Sequence, residues 1–232
     1  MELWLFLLRW IHFLAGITWI GILYYFNFVQ TPFFAETDPA VRSGAIQKLV
    51  PRALWWFRWG AMGTFLAGIL IYMHKLADLG GDVFYTSTYG LAITVGGLLG
   101  TVMFLNVWLV IWPAQQVVIA SATQVAQGGQ PLPDAAPRGR RAALASRTNT
   151  LFSIPMLFYM GAASHYPSLV GQTSGGAATW LIIIVLIITG AVEINALVGT
   201  QGATKKPLDT VGGTLWSGFI LAAIFYGLFL LT

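Results

Sequence analysis

The sequence contains no cysteine and little charge. Without cysteine, the 232 residues carry no disulfide, no thiolate metal site and no attachment point for a c-type haem. Asp, Glu, Lys and Arg make up only 9% of the chain, whereas a soluble domain usually carries about 25%. Because charged side chains normally coat a water-facing surface, we expect most of this surface to face a lipid bilayer.

The small positive net charge does not indicate nucleic-acid binding. Twelve Lys and Arg stand against eight Asp and Glu, which gives a formal net charge of +4. The cations are confined to short connections and form no basic stripe along a helix. P-loop, dinucleotide-binding and zinc motifs are also absent from the sequence. We therefore expect no nucleic-acid partner.

Six stretches are long and apolar enough to cross a bilayer, which takes about 20 residues at a rise of about 1.5 Å each. They lie at 3–29, 53–73, 89–112, 149–169, 178–198 and 211–231. The first has no basic leader and no cleavage site after it, so we expect it to remain as a helix. The sequence therefore predicts an all-α fold, in which residues 1–232 form one bundle of about six transmembrane helices.

The sequence also predicts the structure of three segments that connect the spans. Residues 41–50 are amphipathic and are expected to lie along the membrane interface. Residues 114–126 are expected to continue the third span into the cytoplasm, with a kink at Pro113. Residues 128–141 are rich in Gly, Pro and Arg and are predicted to be a polar loop.

The distribution of basic residues predicts the orientation of the bundle. The side opposite to the cytoplasm holds only Lys75, with Arg9 just inside it. The connections after the first, third and fifth spans hold nine basic residues: Arg42, Lys48, Arg52, Arg138, Arg140, Arg141, Arg147, Lys205 and Lys206. We therefore expect both termini on the outer side of a bacterial inner membrane.

Three histidines are the main candidates for a cofactor site: His12, His74 and His165. All three fall in the predicted outer half of the bundle. Neutral imidazole is the usual nitrogen ligand of haem iron. A histidine near a helix end can also be an ordinary interfacial residue, so the alternative is a hydrogen-bonded side chain without a cofactor.

The size of the neighbouring residues distinguishes the three histidines as candidate haem ligands. His12 has Gly16 one turn away and His165 has Gly161, where a bulky side chain would collide with a porphyrin. We predict that these two histidines ligate haem b, whereas His74, with bulky neighbours, is a weaker candidate. Arg9, one turn before His12, could bind a haem propionate or reach lipid headgroups. Small residues also pack helices together without a cofactor.

Two further charges lie in the inner half of the bundle. Arg58 and Glu193 are expected to pair across the second and fifth spans, because an unpaired charge at that depth is costly. The pair could be purely structural, or it could form a quinone or proton site.

Several strings carry a family resemblance when they are taken together. They are Arg9-Trp10-Ile11-His12, Gly16-Ile17-Thr18-Trp19-Ile20-Gly21, Trp56-Phe57-Arg58-Trp59, Gly100-Thr101-Val102-Met103, Ile111-Trp112-Pro113-Ala114-Gln115 and Ser164-His165-Tyr166-Pro167. This set resembles the membrane-embedded N-terminal domain of bacterial urate oxidase (urate hydroxylase). A looser likeness extends to membrane proteins of the protoporphyrinogen oxidase type.

The resemblance implies a redox role. His12 and His165 match histidine positions of the family, whereas Thr94 stands where longer members are expected to have another histidine. Longer members resemble a membrane domain followed by a cytochrome c domain, which the 232 residues lack. The implied function is a b-type haem protein that passes electrons from a small-molecule or quinone donor to a cytochrome c or a larger respiratory complex.

Two alternatives remain open from the sequence. One is a urate-oxidase-like membrane oxidoreductase, although no acid–base pair with a readable spacing identifies catalytic residues. The other is a non-redox accessory subunit of a membrane complex, for which the 14% aromatic content would suit packing against partner subunits.

Overall fold

The computed structural model describes residues 2–166, 168–169 and 173–231, and all regular secondary structure in this part is helical. Within these residues the chain forms eight helices: α1 (Glu2–Glu36), α2 (Pro39–Lys48), α3 (Val50–Leu79), α4 (Gly81–Thr86), α5 (Thr88–Ala126), α6 (Ala135–His165), α7 (Gly175–Leu197) and α8 (Val211–Leu230). A 3₁₀ segment at Ala203–Asp209 joins α7 to α8. The predicted all-α fold is confirmed.

Five helices of the described part are long and apolar enough to cross a membrane: α1, α3, α5, α7 and α8. The remaining predicted span, 149–169, is the fourth along the chain and falls on the second half of α6 and beyond its end. With 31 residues, α6 is about 46 Å long, which suffices for a span, but it is less apolar than the other five. Residues 167 and 170–172, at and just after the end of this predicted span, lie outside the described residues.

The lower apolarity of α6 follows from its place in the bundle. It packs against α5, α7 and α8 and, more narrowly, against α1. Thr148, Asn149 and Thr150 are fully buried on it. Because protein covers this part of the helix, Asn149 and Thr150 find hydrogen-bond partners there, at Met103 O and Ser146 O.

A proline is accommodated by a π turn in both α1 and α5. The predicted continuation of the third span through residues 114–126 is confirmed, because α5 runs on to Ala126. A π turn at Asn106–Ile111 lies just before Pro113, where a kink was predicted. This π turn ends at the N–H of Trp112, which donates to Val107 O five residues earlier. In α1 a π turn at Tyr25–Gln30 precedes Pro32 in the same way. Both turns are bulges in otherwise α-helical runs.

Two predicted connections differ in outcome. The amphipathic stretch 41–50 falls largely on α2 (Pro39–Lys48), which packs against α3 and α5. The predicted polar loop at 128–141 is wrong in its second half, because α6 begins at Ala135. The first half stays close to α5, where the N–H of Leu132 donates to Ser121 Oγ at 3.0 Å.

Candidate functional site

The imidazole of His12 is held against α3. Its Nδ1 lies 2.8 Å from the backbone oxygen of Thr64, and a Cβ placed on Gly68 would lie only 3.0 Å from His12 Cε1. A carbonyl oxygen can only accept, so this contact requires the proton on Nδ1 and leaves the lone pair on Nε2. Proteins commonly orient metal-binding histidines by such a bond.

The small residues beside His12 serve helix packing in this structure. A Cβ on Gly16 would lie 3.8 Å from Thr64 Cγ2, and one on Gly63 would lie 3.1 Å from Ala15 Cβ. This face of α1 therefore lies against α3, and Gly16 is half-buried beside Thr64. The argument from small neighbours does not distinguish a haem face from a close helix contact.

The other predicted site residues lie apart from this contact. His165 ends α6 and is exposed, as are Gly161 and Arg9, while His74 is half-buried near the end of α3. No hydrogen bond or ring contact joins His12 to His165 in the described part of the chain. The described part of the chain also contains no cluster of three or more His, Asp or Glu side chains suited to a metal ion. Ligation of one iron by His12 and His165 therefore stays a prediction.

A polar cluster joins three helices inside the bundle. Asn106 Nδ2 donates to Asn149 Oδ1 at 2.9 Å and to Glu193 Oε2 at 3.0 Å. Asn149 Nδ2 in turn donates to the backbone oxygen of Met103 at 2.9 Å. Glu193 Oε1 is buried and, among the described residues, has no hydrogen-bond partner. The cluster connects α5, α6 and α7 and begins at the first residue of a π turn.

Arg58 does not pair with Glu193. Its guanidinium carbon lies 3.9 Å from the ring centroid of Trp112, 5.1 Å from that of Trp108 and 5.5 Å from that of Trp59. These ring faces attract the cation, while an amide binds the carboxylate of Glu193. The predicted ion pair is wrong because each charge has a partner of another kind nearby.

A polar cavity of about 100 Å³ opens between α1, α3, α5 and α6, and sequence reasoning missed it. Its polar lining comes from Asn27, Gln30, Thr31, Gln115, Ser146 and Arg147. A signal was present in the sequence, since Asn27 interrupts the end of the first span, Gln30 follows directly after it, and Arg147 precedes a polar run. Only the packing of four helices shows that these residues meet.

Long apolar helices packed around a polar interior define a multi-pass α-helical membrane protein. The family model described as urate oxidase N-terminal matches residues 81–225, more than half of the chain, and the chain belongs to this family. The family resemblance predicted from sequence is confirmed. The matched segment includes Asn106, Asn149, Arg147 and Glu193, whereas His12 precedes it. No curated protein and no solved structure gave a significant match.

Proposed function

We propose that this chain is a membrane-embedded electron-transfer protein of the urate oxidase type, with haem b bound by His12 and by His165 as the second axial ligand. The single observation that carries the proposal is the hydrogen bond from His12 Nδ1 to Thr64 O, which leaves Nε2 as the nitrogen available to iron. A bound haem would supply one-electron transfer within the bundle.

The protein residues have defined roles in this proposal. The carbonyl of Thr64 sets the tautomer and the orientation of the His12 ring. Gly68 lets the ring lie close to α3. Arg9, exposed and one turn before His12, would pair with a propionate. The electron donor would be a small molecule or a quinone, and the acceptor a separate cytochrome c or a larger respiratory complex.

The assignment of His165 as the second axial ligand rests on the sequence resemblance. The hydrogen bonds between α1 and α6 are from Tyr24 to Ser153 and from Asn27 to Ser146, each at 2.8 Å. Tyr24 and Asn27 lie about two and a half to just over three turns from the cytoplasmic end of α1 in the predicted orientation, whereas His12 lies in the other half of the helix. The two ligands therefore need separate tests.

The test is an absorbance spectrum of the purified protein, oxidised and reduced, with a pyridine hemochrome assay. We expect a Soret band that is lost in both His12→Ala and His165→Ala and kept in the matched control His74→Ala. A wild-type protein without haem would overturn the proposal, and a stable co-purifying partner would then favour the accessory role. Retention of an unchanged spectrum in His165→Ala would overturn the pairing alone.

Gly68 offers a second readout that leaves the ligand in place. In Gly68→Ala the new Cβ would press on the His12 ring, so we expect a shifted reduction potential of the haem. Gly97→Ala is the control, because a Cβ there would meet nothing within 4 Å. Identical potentials in wild type and Gly68→Ala would argue against His12 as the ligand.

The family match favours a second candidate function, the oxidation of urate by this membrane protein. Urate-dependent reduction of an added acceptor, lost in His12→Ala, is the expected result. If the protein with intact haem showed no turnover, this candidate would fail while electron transfer from another donor would stand.

We further infer that α6 is a sixth span and that both termini lie outside the bacterial inner membrane. Cations gather at one end of the bundle, where Lys205 Nζ donates to Asn195 O and to Val198 O, and Arg141 donates to Leu197 O. This supports one cytoplasmic face. Alkaline phosphatase fused after Thr232 should be active and a green fluorescent protein inserted after Gly129 should fluoresce. The reverse pattern would overturn the orientation.

A further inference from the structure

Arg147 is a buried cation with one unsatisfied hydrogen-bond donor. The residue is 7% exposed, its Nη1 is buried, and no group in the described part of the chain accepts a hydrogen bond from that atom. The nearby carboxylate of Asp209 attracts the guanidinium electrostatically, but its hydrogen bond goes to another cation, Arg140, at 2.7 Å. A buried cationic donor without a hydrogen-bond acceptor is unfavourable, so the arrangement favours an anion supplied from outside the chain.

The cavity beside Arg147 also offers a buried acceptor. Gln30 Oε1, from α1, is buried and has no hydrogen-bond partner among the described residues. The side chain of Asn27 is already engaged with Ser146 Oγ at 2.8 Å and Leu23 O at 2.9 Å. A ligand that accepts from Arg147 and donates to Gln30 would complete the hydrogen bonds that this cavity leaves open.

The two π turns border this same cavity. Asn27 and Gln30 belong to the π turn of α1, and Ile111 ends the π turn of α5. Such bulges occur frequently at functional sites because they redirect side chains within a helix. The convergence of both bulges on one polar cavity is an observation independent of the unsatisfied donor of Arg147.

The size and the walls of the cavity restrict the ligand. A volume of about 100 Å³ is below the roughly 300–1,000 Å³ of sites for larger organic ligands. A nucleotide or a quinone with its tail would not fit. The apolar part of the lining includes Phe26, Leu54 and Ile111, which suit the faces of a flat ring.

We propose that this cavity binds a small planar organic anion, with Arg147 donating to its oxygens and Gln30 accepting from one of its N–H groups. The site is separate from His12 and requires neither haem nor turnover. Haem content and anion binding can therefore fail independently of one another.

Binding is measured by scanning calorimetry of the full chain in nanodiscs of zwitterionic lipid, with urate, oxalate and inorganic phosphate as probes. We expect urate to raise the unfolding temperature in a concentration-dependent way, as any ligand of the folded state does. Arg147→Gln should weaken urate binding at least about tenfold. Arg138→Gln, which removes an exposed charge near the start of the same helix, is the matched control and should bind as wild type.

A second variant keeps the cation and covers the case in which Arg147→Gln does not fold. Gln30→Leu should weaken binding of urate, which carries N–H donors, by about tenfold, and should leave binding of oxalate, which has none at neutral pH, unchanged. Equal affinity for urate in wild type and Gln30→Leu would overturn the assigned contact.

Phospholipid phosphate could supply the same charge to Arg147. Nanodiscs with phosphatidylglycerol test this source. Stabilisation by that lipid with no response to any soluble probe would overturn the proposal of a small-anion site. No response to any probe in the wild-type protein would overturn it as well.

Discussion

Helices α1 and α6 have comparable lengths and opposite surroundings. In the most apolar window of α1 only 11% of residues are buried inside the protein. In α6, by contrast, Thr148, Asn149 and Thr150 are completely buried. The comparison teaches that apolarity along a helix reports what surrounds it, so a central helix can carry a polar composition that a lipid-facing helix cannot.

The two helices are also held by different interactions. α1 lies close to the backbone of α3, where Gly60 would place a Cβ 3.1 Å from Trp19 N. α6 combines a close glycine contact with α8 and the amide cluster formed with α5 and α7. If this distinction is correct, substitutions around α6 should cost more than equivalent ones around α1.

The largest expected effect is that of Asn149→Leu. The substitution leaves Met103 O without its side-chain donor and removes the acceptor of Asn106, so we expect a loss of about 2–3 kcal/mol in the free energy of unfolding. Unfolding in mixed micelles by sodium dodecyl sulfate measures it. The control Asn195→Leu removes exposed bonds to Thr204 and should cost under about 1 kcal/mol. Equal costs would break the comparison between buried and exposed amides.

Gly218→Ala should come next, because it disrupts the contact of α8 with α6. The new Cβ would lie 2.5 Å from Ile154 Cδ1 and 2.8 Å from Leu151 O, and a backbone oxygen cannot move away without a helix shift. We expect a cost of about 1–3 kcal/mol in the same unfolding assay. Gly227→Ala in the same helix meets nothing within 4 Å and should be neutral or slightly stabilising. Similar costs at both positions would contradict the packing described.

Gly60→Ala probes the corresponding contact between α1 and α3. Its Cβ would lie 3.1–3.3 Å from Trp19 N, Ala15 O and Thr18 Cγ2, so small shifts of α1 relieve the overlap. We expect a cost of about 1 kcal/mol, below that of Gly218→Ala. A larger cost than at Gly218 would reverse the ranking of α1 and α6.

The smallest expected effect is that of Arg140→Gln. This substitution breaks the pair with Asp209 at 2.7 Å, in which both side chains are partly exposed. We expect a loss of about 0.2–1 kcal/mol, decreasing as salt is added because ions screen the attraction. A large loss that is independent of salt would mean that Arg140 acts through packing.

The histidines illustrate how far sequence reasoning reached. It identified His12 as an unusual polar residue in an apolar span, and the structure shows how Thr64 holds it. It could not tell whether Gly16 faces a porphyrin or another helix, because both require a small residue at the same spacing. The partner of a small residue depends on the rotation of two helices about their axes.

The charges inside the bundle show the same limit. Opposite charges at similar depth predicted that Arg58 would meet Glu193, but three tryptophan rings surround Arg58, and Asn106 binds the carboxylate. Depth along a helix follows from counting residues. The direction in which a side chain points across the bundle does not.

The sequence by itself determined the all-helical membrane class, most of the spans and the family resemblance, because apolarity, charge and short motifs are local properties of the chain. Tertiary structure alone decided which polar groups meet. The amide cluster of Asn106, Asn149 and Glu193 and the cavity beside Arg147 each depend on helices distant in sequence. Their distances are set by how the helices pack, for which no single stretch of sequence carries the information.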